Sequence, residues 1–328
     1  MIRYILKRLL MMIPVLLGVI VIVFTIMYLT PGDPARMMLG AGASEEAVQT
    51  LRTEMGLDDS YIAQLFNYIL GVVQGDLGRS LTSRQPVLTE ILDRFPTTLR
   101  LAVLSVSVSV TIGLSMGIIS ATRQYSIFDK FATATALIGV SMPTFWAGLM
   151  AMIVFSVWLG WLPASGAFGW QYWIMPSAVL GFSSAASIMR MTRSSMLEVI
   201  RQDYIRTARA KGQKEIVVII VHALRNALLP VITVVGMQFG FLLGGAVLIE
   251  TVFSLPGLGN YIIRSIGTRD HMVVQGGVLL IALSFSLVNL VTDIIYGYID
   301  PRLKSQYAKV IRKRRVPQFG KHSTEKST

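Results

Sequence analysis

Asp203-Tyr204-Ile205-Arg206-Thr207-Ala208-Arg209-Ala210-Lys211-Gly212 and, further on, Leu229-Pro230 lie in a basic stretch between two apolar runs. Residues 204–211 are good helix formers with no breaker among them, and Gly212 suits the left-handed residue that ends a helix. Apolar Ile216 to Val221 then leads into a second helical segment expected to end at Pro230. The region 190–226 holds eight Lys/Arg, more structure and charge than a simple connection between two spans requires. The residues leave two readings open. A short helix with Tyr204, Thr207, Ala208 and Lys211 on one face could enter a groove on another protein. Alternatively, an amphipathic hairpin could lie on a lipid surface.

Working outward, the chain is 53% hydrophobic and only 15% charged, with mean hydropathy +0.60. Soluble domains carry about 25% charged residues. Apolar runs near 9–30, 98–121, 131–158, 173–190, 229–250 and 274–299 match the ~20 residues needed to cross a hydrocarbon core. Lipid offers no backbone partners, so such segments must be helices. An all-α integral membrane protein with six transmembrane helices is expected. Arg3, Lys7 and Arg8 precede a first run too long for a signal peptide, with no small-x-small site before Pro31, so this helix is expected to be retained. The loops on the side of the N-terminus, with the tail 300–328, hold 22 Lys/Arg against 7 on the opposite side. That asymmetry places both termini in the cytoplasm. The net charge of +12 then reflects topology and an anionic inner leaflet, the run Arg312-Lys313-Arg314-Arg315 included. It does not point to nucleic acid, because the basic residues are scattered over loops and not interleaved with aromatics on one domain.

Chemistry is excluded by what the chain lacks. It has no cysteine, its histidines 222, 271 and 322 are far apart, and neither a Gly-x4-Gly-Lys-Ser/Thr phosphate loop nor a Gly-x-Ser-x-Gly elbow is present. No catalytic, cofactor or metal constellation results. Asp293 and Glu250 are the ionisable groups at membrane depth. Both fall near span ends, where water reaches them, and an anchoring role is expected. The absence of a charged relay argues against an ion-coupled carrier. Pro143 and Pro176 are the positions where the third and fourth spans could bend.

Four segments follow: 1–30 with the first span, an extracytoplasmic insert 31–97, a five-helix core 98–299 containing the loop 190–230, and the tail 300–328. In the insert, Ser44-Glu45-Glu46 can start a helix that Gly56 ends. Ile62, Leu65, Phe66, Ile69, Leu70 and Val73 repeat at helical spacing; this suggests a cap packed on the bundle or lying at the lipid interface. Gly75-Asp76-Leu77-Gly78 reads as a turn. Leu88, Ile91, Leu92 and Phe95 form a third amphipathic stretch, expected to stop at Pro96. In the fifth span, Gly236, Gly240 and Gly244 form a smooth stripe for close helix packing, within the chain or against a second subunit.

The 203–230 loop resembles the EAA loop of ATP-binding-cassette importer permeases, in the Arg206-Thr207-Ala208-Arg209-Ala210-Lys211-Gly212 form of the dipeptide/oligopeptide family. The general Glu-Ala-Ala triplet falls on Arg206-Thr207-Ala208, so its first two positions are replaced. Further matches to the family are Pro31-Gly32-Asp33-Pro34, Gly75-Asp76-Leu77-Gly78, Ser141-Met142-Pro143-Thr144-Phe145, Glu250-Thr251-Val252-Phe253-Ser254-Leu255-Pro256-Gly257-Leu258-Gly259 and Asp300-Pro301-Arg302. The resemblance implies a type I importer permease fold in a bacterial or archaeal cell membrane. It also implies a second homologous permease, two cytoplasmic ATPases that bind ATP and Mg2+, and an extracytoplasmic binding protein, besides membrane lipid. Tyr204, Arg206, Thr207, Ala208, Lys211, Gly212, Leu229 and Pro230 would form the ATPase-coupling element. The cargo would be di- or oligopeptides. The alternatives are glutathione or nickel and metal chelates in the same family or, in another class, an ion-coupled carrier or channel.

Overall fold

A computed structural model describes residues 2–40 and 42–299. The expectations for the tail 300–328, with Asp300-Pro301-Arg302 and Arg312 to Arg315, lie outside the described residues. Apart from one antiparallel bridge between Arg79 and Pro86, every regular element among the described residues is helical. Helix α1 is Ile2–Leu29. The insert holds α2 Pro34–Leu39, α3 Glu45–Glu54 and α4 Tyr61–Gln74. The core comprises α5 Val87–Thr122, α6 Ile127–Ser141, α7 Thr144–Met152, α8 Ile174–Ile200, α9 Asp203–Ala210, α10 Glu215–Val217, α11 Arg225–Val252, α12 Leu258–Gly267 and α13 His271–Ile299. Among the described residues five helices are long and apolar enough to cross a membrane, six if the bent pair α6–α7 is one span.

The sequence cues behave as expected at several termini. Ser44 caps α3 by accepting from the Ala47 amide at 3.3 Å, and Gly56 follows that helix with φ +64°. Gly75 ends α4 in the left-handed conformation, and the Gly78 amide donates to Asp76 Oδ1 at 2.8 Å to close the turn. The third span differs from a single run over 131–158. It breaks by 102° between α6 and α7, because a residue before proline avoids the helical region; Met142 is extended, with ψ 128°. Pro176 bends nothing. It lies in the first turn of α8, where its missing N–H would have had no partner.

Pro96 does not stop a helix. Helix α5 passes through it from Val87 to Thr122, because fully buried Val87, Ile91, Leu101 and Ala102 line one side of the helix on both flanks of the proline. Their packing outweighs one lost backbone bond. Helices α5 and α8 approach very closely. A Cβ at Gly113 would lie 2.8 Å from the Ala185 carbonyl, at Gly117 2.5 Å from Thr192, and at Gly181 2.7 Å from Val108. The glycine stripe of α11 divides. Gly236 faces Thr292 and Gly240 faces Phe285, both on the chain's own α13, whereas Gly244 meets open space.

Asp293 meets Arg8 of α1 at 3.0 Å. Glu250 departs from the water-exposed anchor expected of it: it is fully buried. Its Oε1 accepts from Thr98 Oγ1 at 2.6 Å, and its Oε2 accepts from the Asn260 amide at 2.9 Å, with the Gly259 amide next to it. Thr98 Oγ1 in turn accepts from the Leu258 amide at 2.9 Å. These are the first three amides of α12, whose cap residue Gly257 has no side chain to offer. A helix start leaves such donors unsatisfied and carries positive partial charge, so a buried carboxylate from α11 replaces the missing cap. The approach requires Gly257, where a Cβ would fall on the Glu250 carboxylate.

Candidate coupling surface

Helix α8 does not end near Arg190 and Arg193, where the fourth apolar run stops. It continues to Ile200 and carries the polypeptide directly to α9. Arg193 is fixed there by Asp129 of α6, with Nε to Oδ1 and an Nη to Oδ2 both at 2.9 Å. Ser120 of α5 donates to the same carboxylate, and the Tyr125 amide donates to its Oδ2 at 2.9 Å. This bidentate pair ties the basic ends of α5, α6 and α8 together. An open cleft of about 750 Å3 lies alongside, lined by Thr133, Arg190, Leu197, Arg201 and Gln202 among others.

Helix α9 follows a tight turn at Arg201 and Gln202. Ile205 and Ala208, three apart and hence on one face, turn inward. They join a buried cluster with Ala121 of α5, Met196 of α8, Val218 and Ala223 of the next segment, and Ala227 of α11. Ala208 therefore does not share an outward face with Tyr204, Thr207 and Lys211. The outward side instead presents Tyr204, Arg206, Thr207, Ala210 and Lys211, all exposed. Tyr204 Oη accepts from Asn226 Nδ2 at 3.1 Å, linking α9 to the foot of α11.

The turn after α9 is held from both sides. Gly212 adopts φ +74°, and a Cβ there would meet nothing within 4 Å. Its requirement is conformational and not one of space. Arg209 donates to both carboxylate oxygens of Glu215, at 3.1 and 2.6 Å; this hydrogen bonding raises the Arg209 pKa above the ordinary arginine value. Gln213 Oε1 lies 2.7 Å from His222 Nε2.

From Glu215 the chain is helical without a stop: α10, a widened π-helical stretch Val218–Leu224, then α11. Pro230 lies inside α11, not at the end of a segment. One missing donor is tolerated where neighbouring helices pack and local π geometry adjusts. Leu229 is half-buried beside it and Pro230 is exposed. Ile216, Ile220 and Val221 are exposed, leaving an apolar patch beside α9. Sequence reasoning missed Ile205 and Met196 as the buried anchors and Glu215 as the partner of Arg209. Ile205 and Ala208, at i and i+3 in an otherwise polar helix, carried the signal.

Comparisons with known proteins agree with this architecture. Residues 113–305 match the model for "Binding-protein-dependent transport system inner membrane component", and residues 1–102 match that of its N-terminal part. The chain is 46% identical over 304 residues to the glutathione transport system permease protein GsiC of Salmonella typhimurium, covering 93% of this chain and 99% of that one. It is 45% identical to the GsiC protein of Escherichia coli strain K12 over the same shares. Among solved structures, an inward-facing MetNI methionine ABC transporter superposes with TM-score 0.55 at 20% identity, over 64% of this chain and 96% of that one, a likeness of fold. On these grounds the chain belongs to the binding-protein-dependent transport system inner membrane components, the membrane permeases of ABC importers, which are transport subunits without an ATPase site of their own.

Proposed function

We propose that this chain is one of two permease subunits in an importer of glutathione or peptides of similar size, coupled to two cytoplasmic ATPases through residues 203–230. The cargo reading rests on the GsiC proteins, which are glutathione transport permeases and align over nearly the whole chain. They favour glutathione, the alternative cargo of the sequence reading, over the di- and oligopeptides expected first. ATP and Mg2+ belong to the ATPases. A binding protein delivers cargo on the side of the insert, and both termini face the cytoplasm, as the Lys/Arg asymmetry requires.

The observation that carries the coupling role is the two-sidedness of α9. Ile205 and Ala208 root it in the ends of α5, α8 and α11, while Tyr204, Arg206, Thr207 and Lys211 are exposed on the other side. A force applied to the exposed side reaches the spans through packed side chains.

The test is reconstitution with the partner permease, the ATPases and the binding protein in proteoliposomes. Arg206→Glu with Lys211→Glu reverses two exposed charges and leaves the buried face intact. ATP-driven glutathione uptake should fall by about tenfold or more, the equivalent of roughly 1.4 kcal/mol of lost docking, with membrane insertion and pairing retained. Unchanged uptake and unchanged hydrolysis would remove α9 from the coupling path. Uptake of dipeptides but not of glutathione would return the cargo to the broader class.

A further inference from the structure

Helix α4 is built inside out. Its fourteen residues carry no charge, and its apolar stripe faces away from the protein. Ile62 is 76% exposed, Phe66 63%, Leu70 46% and Val73 79%. The side turned inward carries Tyr61, Gln64 and Tyr68 beside half-buried Leu65, Ile69 and Val72, and polar Asn67 and Gln74 are exposed at the edge of the stripe. Tyr61 Oη lies 2.7 Å from Thr25 Oγ1, and the Tyr61 ring packs on Phe24 and Tyr28 at 5.7 and 5.1 Å. Tyr68 packs on Phe24 at 5.7 Å. Gln64 donates to the Leu57 and Asp59 carbonyls at 3.0 and 2.9 Å. Neighbouring α3 has the ordinary polarity of a helix in water: Val48 is buried, while Glu45, Glu46, Gln49 and Thr53 point outward.

An apolar stripe of this size stays exposed only when its surroundings are apolar. Three observations choose lipid. The contacts of α4 on α1 are Phe24, Thr25 and Tyr28, in the last two turns of that span, so α4 sits at the level where α1 leaves the hydrocarbon. The same end of α1 also exposes apolar side chains, at Ile22, Ile26 and Leu29. Fourteen residues rise only about 21 Å, too short to cross a core of about 30 Å, so the helix must lie along the membrane. Tyr28, Tyr61 and Tyr68 cluster at that height, where amphipathic rings settle.

We propose that α4 is an interfacial helix. It rests with Ile62, Phe66, Leu70 and Val73 in the acyl-headgroup boundary of the leaflet on the insert's side, and it holds the insert flat against the bilayer beside α1. With no Lys or Arg, its attachment depends on buried apolar area and not on anionic lipid. This goes beyond the coupling role and does not depend on it.

Because the chain contains no cysteine, single-site labelling tests the idea directly. Ile62→Cys, Phe66→Cys and Val73→Cys each carry a nitroxide in the complete transporter, assembled with cysteine-free partner subunits in phosphatidylcholine nanodiscs. Glu46→Cys on α3 serves as the aqueous reference. Power saturation should show membrane-soluble oxygen relaxing the three α4 labels more than a water-soluble nickel chelate does, with the order reversed at Glu46→Cys. All four sites are exposed, so the labels leave the packing intact. A stronger nickel effect on α4 would place the stripe in water and overturn the proposal. Immobile labels shielded from both reagents would show that a protein surface covers it, and would overturn the proposal equally.

Discussion

Glu250→Gln exchanges a carboxylate oxygen for an amide NH2 at the point where α12 meets α11. The wild-type carboxylate accepts from Thr98 Oγ1 and from the Asn260 amide. With the glutamine oxygen kept toward the Asn260 amide, its NH2 faces Thr98 Oγ1, which can accept from it only by turning its own proton away from the acceptor it had. Leaving one buried donor unsatisfied costs about 1–3 kcal/mol. Glu250→Ala removes both acceptor oxygens and strands two buried donors, the Thr98 hydroxyl and the Asn260 amide, so its effect should reach about 2–6 kcal/mol on the same scale. Thr98→Val removes the hydroxyl that serves both the carboxylate and the Leu258 amide, for about 1–3 kcal/mol. The two sites share one network, so the double substitution should depart from the sum of the singles by about 0.5–3 kcal/mol.

The readout is amide hydrogen exchange over Leu258 to Asn260 in the purified protein. A loss of 1–3 kcal/mol in local opening corresponds to roughly 5- to 150-fold faster exchange. The order should be wild type slowest, Glu250→Gln and Thr98→Val between, and Glu250→Ala fastest, with peptides from α8 unaffected. If Glu250→Ala exchanges at the wild-type rate in this segment, the carboxylate is not the cap of α12 and the reasoning fails.

Three further outcomes are expected. Reporter tags at residue 1 and near Asp59 should lie on opposite sides of the membrane, with residue 1 in the cytoplasm; a cytoplasmic signal at Asp59 would reverse the orientation. Gly117→Leu and Gly240→Leu should each destabilise the isolated chain by about 1–3 kcal/mol through overpacking against Thr192 and Phe285, seen as lower melting temperatures. Gly244→Leu should leave that stability unchanged, and any loss it causes in pairing would mark a contact with the second permease. Ile205→Ala should cost about 2–5 kcal/mol at a fully buried site and, by loosening α9, lower the glutathione taken up per ATP hydrolysed; a wild-type ratio would show that the cluster does not transmit the stroke.

The legible parts of this fold are those where one local rule acts alone. The apolar runs, the caps at Ser44 and Gly75, the left-handed Gly212 and the break at Pro143 all follow from properties within a few residues. The misread parts are those where packing from distant elements decides. Pro96 and Pro230 look like stops, yet buried neighbours carry each helix through. Glu250 looks like a surface acid because its partners come from Thr98, far away in sequence, and from the start of α12. The Gly113-x3-Gly117 pair has the same spacing as the stripe in α11, but its partner α8 comes from a distant part of the chain. Only the structure separates Gly236 and Gly240, which meet α13, from Gly244, which meets nothing. For the coupling element, the helix and its end were readable but its facing was not. Ile205 and Ala208 could be assigned to the inside only once Met196, Val218 and Ala227 were in place around them.

That facing bears on how the proposed coupling element would work. A helix that simply projected from a flexible loop could bind an ATPase without moving anything. Here Met196 belongs to α8, Ala121 to α5 and Ala227 to α11, and all three meet Ile205 and Ala208 in one cluster. Asp129 and Arg193 extend the same junction to α6. The ends of four core helices are therefore joined at one place, with α9 as its outermost part. Close-packed interiors shift as units instead of deforming smoothly, so displacement of α9 is passed on as movement of the bundle's end. Among the described residues, helix α1 contributes nothing to the cluster around Ile205. It packs mainly on α13 and, less, on α4, and with α4 at the membrane surface as proposed it would hold the insert there while the joined helices move.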